Sequence, residues 1–262
     1  MPQDPIRVPY AAGPEQYAEL TLPDPGQRGA AAVPGVVVII HGGYWRSRYS
    51  AELGRPLARD LAGRGFTCWN LEYRRAGNGG GWPETFNDIS QGIDALDAAS
   101  RDYGLDLSRV TVLGHSAGGQ LAVWAASRSR AAVPVTGVVS QAGVLNLARA
   151  LELELSGNAV RNFLGSAPEV DPERYRSADP MLLLPLRVPV VALHGDNDSH
   201  VPLPFSAGFA QAAAASGSIA ELRVVPGDHF DLITPGTAAW TAVAGALAEA
   251  AEDRGIFDLH TS

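Results

Sequence analysis

Gly114-His115-Ser116-Ala117-Gly118 sets a serine between two glycines, directly after the apolar run Val110–Leu113 and directly before a helical pattern. Where a strand turns this sharply into a helix, a side chain at 114 or 118 would meet neighbouring backbone. The serine between them is forced into a strained conformation that exposes its hydroxyl. Such a hydroxyl attacks a carbonyl carbon once a base removes its proton. A glycine-rich turn with an incidental serine is the bland reading, and the strand and helix patterns on either side argue against it.

The base must follow in the chain if the order is serine, acid, histidine. His194-Gly195-Asp196-Asn197-Asp198 leaves an apolar run that ends at Leu193, and Pro226-Gly227-Asp228-His229-Phe230 leaves one that ends at Val225. Asp198 and His229 are 31 residues apart, close to the roughly 30 that a β-α-β unit takes. Both loops then emerge side by side at the carboxyl ends of parallel strands, the edge where ligands bind. Of the six histidines, His41 precedes a glycine pair, His115 lies inside the serine turn, His194 caps a strand and His260 is near the terminus. His200 and His229 remain. His229 is favoured, because His200 is too close to its own candidate acid and comes before the last helix. Asp198 stands nearer than Asp196 to the turn ending in Val201-Pro202 and is preferred. Asp196 and Asp228 stay open as alternatives, each readable as a turn residue bonding its own backbone.

Carbonyl attack creates an oxyanion that needs preorganised N–H donors. His41-Gly42-Gly43-Tyr44-Trp45, at the end of the β-branched run Val36–Ile40, offers the amides of Gly42, Gly43 and Tyr44 beside that of Ala117, the residue after the nucleophile. Taken alone, two glycines after a strand are only a turn. Tyr44 and Trp45, with Trp82 from the Asn78–Pro83 loop, are candidates to line an aromatic acyl or leaving-group site, whereas Trp69 and Trp124 are assigned to the core.

The elements that must position these residues alternate. Strand patterns at Val36–Ile40, Phe66–Leu71, Val110–Leu113, Val135–Ser140, Val190–Leu193 and Ile219–Val225 are separated by helical patterns at Ala51–Arg64, Phe86–Tyr103, Ala117–Ser127 and Pro202–Ser216, and Thr237–Glu252 closes the chain. Alternation on this scale means a mostly parallel sheet. It fails over about 144–189, where prolines at 168, 172, 180, 185 and 189 suit a small cap insertion in an otherwise single domain spanning 1–262. Tyr17–Leu22 reads as an edge strand. No internal repeat is visible.

At 262 residues with 46% apolar and 18% charged side chains, the chain is ordinary globular material and long enough for one large core. A net charge of −8 without a Lys/Arg cluster leaves no footprint for nucleic acid or an anionic membrane. No apolar run reaches the about 18 residues of a membrane span, and Pro2, Asp4, Pro5 and Pro9 stand where an export signal needs a basic start and an apolar stretch. Cys68 is the single cysteine, which excludes an intrachain disulfide and suits a cytoplasmic setting. The oligomeric state stays open, a homodimer included.

The succession HGGYW, GHSAGG, HGDNDSHVP, GDHF over roughly residues 30 to 252 resembles the α/β-hydrolase superfamily. His41–Trp45 with Gly114–Gly118 resembles its kynurenine formamidase (arylformamidase) and hormone-sensitive-lipase-like esterase branches, the Tyr-Trp pair pointing to the first. The resemblance implies a three-layer α/β fold with helices on both faces of the sheet. It also implies a Ser116–Asp198–His229 triad and an acyl-enzyme on a small ester or amide, with no metal or cofactor. Leu71-Glu72-Tyr73-Arg74-Arg75 and the triple glycine at 79–81 belong to no signature of formamidase activity. The competing readings are a general carboxylesterase, a catalytically silent binding protein on the same fold, and an exopeptidase, which commonly carries a further gating domain.

Overall fold

The computed structural model describes residues 4–23 and 32–258. Strands β1 (Ile6–Pro9) and β2 (Tyr17–Thr21) precede β3 (Val36–Ile40), and a 3-10 turn over Ala51–Gly54 leads into α1 (Arg55–Gly63) and β4 (Thr67–Leu71). Next come α2 (Glu84–Asp94), α3 (Leu96–Tyr103), β5 (Val110–His115), α4 (Ala117–Ala126) and β6 (Gly137–Gln141). After α5 (Leu147–Glu152), α6 (Leu155–Leu164) and α7 (Pro172–Ala178), the chain returns through β7 (Val190–Gly195), α8 (Pro204–Ser216), β8 (Ala220–Val225) and α9 (Ala238–Ala251).

The strands form one sheet in the order β1-β2-β4-β3-β5-β6-β7-β8, antiparallel at β1–β2 and β2–β4 and parallel from β4 to β8. Side chains of a strand alternate between faces, so a central strand covered on both must be apolar throughout. In β3, Val36, Val38 and Ile40 join one apolar cluster and Val37 and Ile39 the other. In β7, Val190 and Ala192 oppose Val191 and Leu193 in the same way. Leu57 and Leu61 of α1 with Trp240, Val243 and Leu247 of α9 cover one face. Side chains of α2, α4 and α8, among them Phe86, Leu121 and Phe209, cover the other. The result is the expected three-layer, mostly parallel α/β-hydrolase fold.

Beyond shifts of a few residues at element ends, the structure departs from the sequence patterns in several places. Tyr17–Thr21 is not at the edge, because β1 pairs outside it with Ile6 opposite Leu20 and Val8 opposite Ala18. This four-residue strand, largely exposed and ending in proline, has neither the length nor the apolar alternation that marks a strand. The Phe86–Tyr103 pattern is two helices meeting at Ala95. The Val135–Ser140 strand begins at Gly137. Residues 24–31, the Pro/Gly-rich stretch after β2, and His260 lie outside the described residues. Among those described, no helix is long and apolar enough to cross a membrane.

Between β6 and β7, helices α5 to α7 lie against α4. The Gln120 amide donates to the carbonyl of Ala178 at 2.9 Å and the Trp124 indole to that of Ser177 at 2.9 Å. Asn146 and Asp171 accept the first free amides of α5 and α7 at Arg149 and Arg174, the ordinary way a short helix begins.

Candidate active site

Ser116 sits between β5 and α4 with φ 54° and ψ −115°, a backbone state that side chains adopt only when their surroundings impose it. A β-carbon on Gly114 would stand 2.1 Å from the Gly118 carbonyl oxygen, and one on Gly118 2.1 Å from that of Ile40 in β3. The two glycines therefore allow the strand, the helix and the neighbouring strand to close around the serine. The Ser116 amide donates to Gln141 at 2.8 Å and its carbonyl accepts from Val144 at 3.1 Å. The amide of Ala117 is the first of α4, where helix geometry supplies no internal acceptor.

The turns after β7 and β8 are zipped together by backbone. Asp196 donates to Val225 at 2.9 Å and Asn197 to Gly227 at 3.0 Å, and a β-carbon on Gly195 would come within 2.4 Å of the Gly227 oxygen. That approach delivers His229 to Asp198, with Nδ1 donating to Oδ2 at 2.6 Å. Oδ1 of Asp198 accepts the amides of His200 at 2.8 Å and Val201 at 2.9 Å. His194 Nε2 donates to the Val201 carbonyl at 2.9 Å and stands 3.3 Å from Oδ2, so its Nδ1 accepts from the Ser206 hydroxyl at 2.8 Å. Burial by itself would raise the Asp198 carboxyl. The hydrogen bonds from His194, His229 and Val201 overcome it and hold the group well below the usual carboxylate range. Asp198 is therefore an anion facing a ring N–H, which leaves Nε2 as the basic nitrogen of His229.

His115, next to the serine, fixes the position of that ring. Its Nε2 donates to the His229 carbonyl at 2.9 Å and the two rings lie 4.5 Å apart. Burial, with the charge of His229 adding to it, pushes His115 down to about 3, so it stays a neutral donor. The alternatives weighed from sequence take other places. Asp196 Oδ1 accepts the Gly227 amide and Asp228 Oδ1 accepts those of Phe230 and Asp231, both as turn residues. His200 is exposed and stacks on His229.

The loop after β3 reaches the serine from above. A β-carbon on Gly42 would be 2.8 Å from the His115 oxygen and 3.2 Å from the Ser116 β-carbon, and Gly43, at φ 109°, abuts the Tyr49 ring. Among the described residues, the amides of Gly42, Gly43 and Tyr44 donate to no group of the chain. Tyr44 is partly exposed, and its hydroxyl donates to the His200 carbonyl at 2.9 Å. Burial, then the nearby Asp198 charge, pushes its phenol up to about 12. Trp45 does not line a pocket. Its ring has no exposed surface, stacks on Phe163 at 4.5 Å and 4°, and donates to Gln120 at 3.1 Å. The backbone turns its indole inward because the space between α4 and α6 is apolar. Trp82 meets Phe86 edge-on, and its amide donates to Phe163, which places it between α2 and α6 rather than against the triad.

Beneath the loop lies a buried charged cluster that sequence reasoning left without a role. His41 Nε2 stands 3.1 Å from Glu72, the Tyr73 hydroxyl donates to the His41 carbonyl at 2.7 Å, and the two rings stack at 4.4 Å. Glu72 also accepts from Ala51 at 2.9 Å and pairs with Arg75, which in turn reaches Glu15. Burial opposes a charged Glu72, but His41 and Arg75 hold its carboxyl below the usual range. The available signal was the polar, charged sequence Glu72–Arg75 following a strand otherwise built for a dry core.

The BD-FAE family model matches residues 24–212. The chain is 28% identical over 230 residues to the probable carboxylic ester hydrolase LipM of Mycobacterium tuberculosis, covering 80% of this chain and 52% of that protein. It is also 28% identical over 248 residues to the isoprenylcysteine alpha-carbonyl methylesterase ICME of Arabidopsis thaliana, covering 86% and 57%. The chain thus spans about half the length of the curated relatives it matches. Inhibited esterase B from Lactobacillus rhamnosis superposes with a TM-score of 0.81 at 21% identity, over 99% of this chain and 88% of that one, which is agreement in fold. With its family model covering the elbow, the loop after β3 and the acid turn, the chain belongs to the BD-FAE family within the α/β-hydrolase superfamily.

Proposed function

We propose that the protein is a serine esterase acting on a small carboxylic ester through an acyl-enzyme. The observation that carries this is the 2.6 Å bond from His229 to the buried Asp198 anion, made beside a serine held in elbow geometry. In this reading His229 Nε2 takes the Ser116 proton as Oγ bonds to the carbonyl carbon. The oxyanion meets the amide of Ala117 and those of the Gly42–Tyr44 segment. Collapse breaks the bond to the alcohol, which leaves with the proton from His229, and a water repeats the cycle to free the acid. Asp198 stays ionised throughout, orienting the ring and stabilising its charged form. The likeness to LipM and ICME, a probable carboxylic ester hydrolase and a methylesterase, agrees with this chemistry.

Residues 144–189 act in this reading as a cap bounding the substrate, and Tyr44 is the aromatic side chain that meets it. The single cysteine, buried and free, supports a cytoplasmic setting. An aryl formamide would use the same triad, but the Tyr-Trp pair that pointed to it has lost its tryptophan to the core, which favours the ester. The test is intact-mass labelling of wild type and Ser116→Ala with a fluorophosphonate, alongside turnover of p-nitrophenyl acetate and N-formylkynurenine. A single adduct on wild type alone, with ester turnover the faster, is the expected result. A folded wild type that takes no label would indicate a silent binding protein instead.

A further inference from the structure

His200 occupies a place that an exposed turn residue has no need to occupy. Its ring lies nearly parallel to that of His229, at 5.1 Å and 17°, and Phe230 closes edge-on against it at 4.9 Å. Its backbone is held from two sides: the amide donates to Asp198 at 2.8 Å and the carbonyl accepts from Tyr44 at 2.9 Å. One residue therefore touches the acid, the base and the loop after β3. With the backbone fixed at both ends, the ring takes a rotamer that covers His229.

We propose that His200 is a positioning residue of this centre, its imidazole covering the base and setting how readily His229 accepts a proton. The inference rests on the hydrolase reading above. During acyl transfer His229 becomes an imidazolium with Asp198 on one edge and His200 on its face. A neutral imidazole there lets the charge form, whereas a protonated one is a like charge about 5 Å away and opposes it.

The groups around the pair come from several elements: Asp198 and His194 from the end of β7 and its turn, His115 from β5, Tyr44 and Arg46 from the loop after β3, and Asp228 beside His229. Asp198 is held as an anion, His115 is held neutral by burial, and the Tyr44 phenol is pushed up to about 12. None of these three changes charge near neutral pH.

The test uses the 262-residue chain and two variants that keep both backbone bonds of residue 200. His200→Phe preserves a stacked ring without charge, and His200→Arg places a permanent cation that can also stack. The rate of Ser116 phosphonylation by a fluorophosphonate and kcat/KM for p-nitrophenyl acetate are measured from pH 5 to 9. Removing the like charge lets His229 keep its proton to higher pH, so the acid limb of His200→Phe moves up. A fixed charge moves the limb of His200→Arg down by about half a pH unit or more, about threefold in rate on the limb. Limbs that coincide in all three proteins, or that move in the same direction, overturn the proposal while Ser116 labelling leaves the hydrolase reading standing. A wild type that takes no label removes both.

Discussion

Asp198 has two ring donors converging on Oδ2 and two amides on Oδ1, so its carboxylate is satisfied only while charged. Asp198→Asn keeps the volume but replaces an acceptor with a donor facing His229. Loss of the correct tautomer is expected to lower kcat on p-nitrophenyl acetate by about 10³ to 10⁴-fold. The same group links stability to pH. Its folded carboxyl sits below its unfolded value, so the stability it contributes is present above the ordinary carboxylate range, near about pH 4, and drains away as pH falls below it. Urea melts should therefore show a gap between wild type and Asp198→Asn that is wide at pH 7 and narrows in acid. Gly42 gives a second residue-level prediction. A methyl group there would meet the His115 oxygen at 2.8 Å and the Ser116 β-carbon at 3.2 Å. Gly42→Ala should then lower kcat by about 10² to 10³-fold by displacing the proposed oxyanion donors, with a circular-dichroism spectrum like that of wild type.

At the scale of elements, the loop after β3 closes on itself where Arg46 donates to Gly43 at 3.1 Å and Tyr49 to Arg46 at 3.2 Å, and it is held further by what lies beneath and beside it. Tyr44 and Trp45 both have positive φ, 51° and 55°, and each such residue costs about 1 kcal/mol or more unless neighbours enforce it. Trp45 supplies the lateral hold, through Phe163 of α6 and Gln120 of α4. Trp45→Ala should destabilise the fold by about 3 to 5 kcal/mol in urea melts, a stability loss rather than a change of substrate preference. Glu72 supplies the hold from below. Glu72→Ala would leave Arg75, itself 2% exposed, without its inner partner, and about 3 to 5 kcal/mol of destabilisation is expected.

Across the whole molecule, the segment between β6 and β7 is part of one apolar body rather than a hinged flap. Phe163 and Tyr175 share a cluster with Phe86, Leu121 and Val36, Val38 and Ile40 of β3, and Ala178 and Ser177 accept from side-chain donors on α4. Replacing 147–182 with a short Gly/Ser linker would bare Trp45, Phe86 and Trp124 together, a patch large enough to drive association. Aggregation on size exclusion is the expected outcome, where a hinged flap would leave a soluble monomer.

The triad candidates and the parallel core were legible in the primary structure because their signals are local. The glycines at 114, 118, 42 and 195 stand out as residue types within short motifs, although only Gly114 answers to a near neighbour, Gly118, while the others admit the backbone of Ile40, His115 and Gly227, and β-branched runs such as Val36–Ile40 declare strands buried on both faces. Spacing also placed Asp198 and His229 one β-α-β unit apart, which is how adjacent parallel strands meet. What sequence could not decide was anything settled by a partner distant in the chain. Whether Trp45 faces solvent or core depends on Phe163 and Gln120, the meaning of Glu72–Arg75 depends on His41 and Glu15, and β1 is a strand only because β2 offers it an edge. The choice of Asp198 over Asp196 belongs to the same class. Both stand in one turn, and only the zipping of Asn197 onto Gly227 and the ring donors of His194 and His229 decide which carboxylate turns inward. Local backbone sterics are written in residue types, while the direction a side chain faces is set by the free energy of burial and hydrogen bonding in the assembled fold.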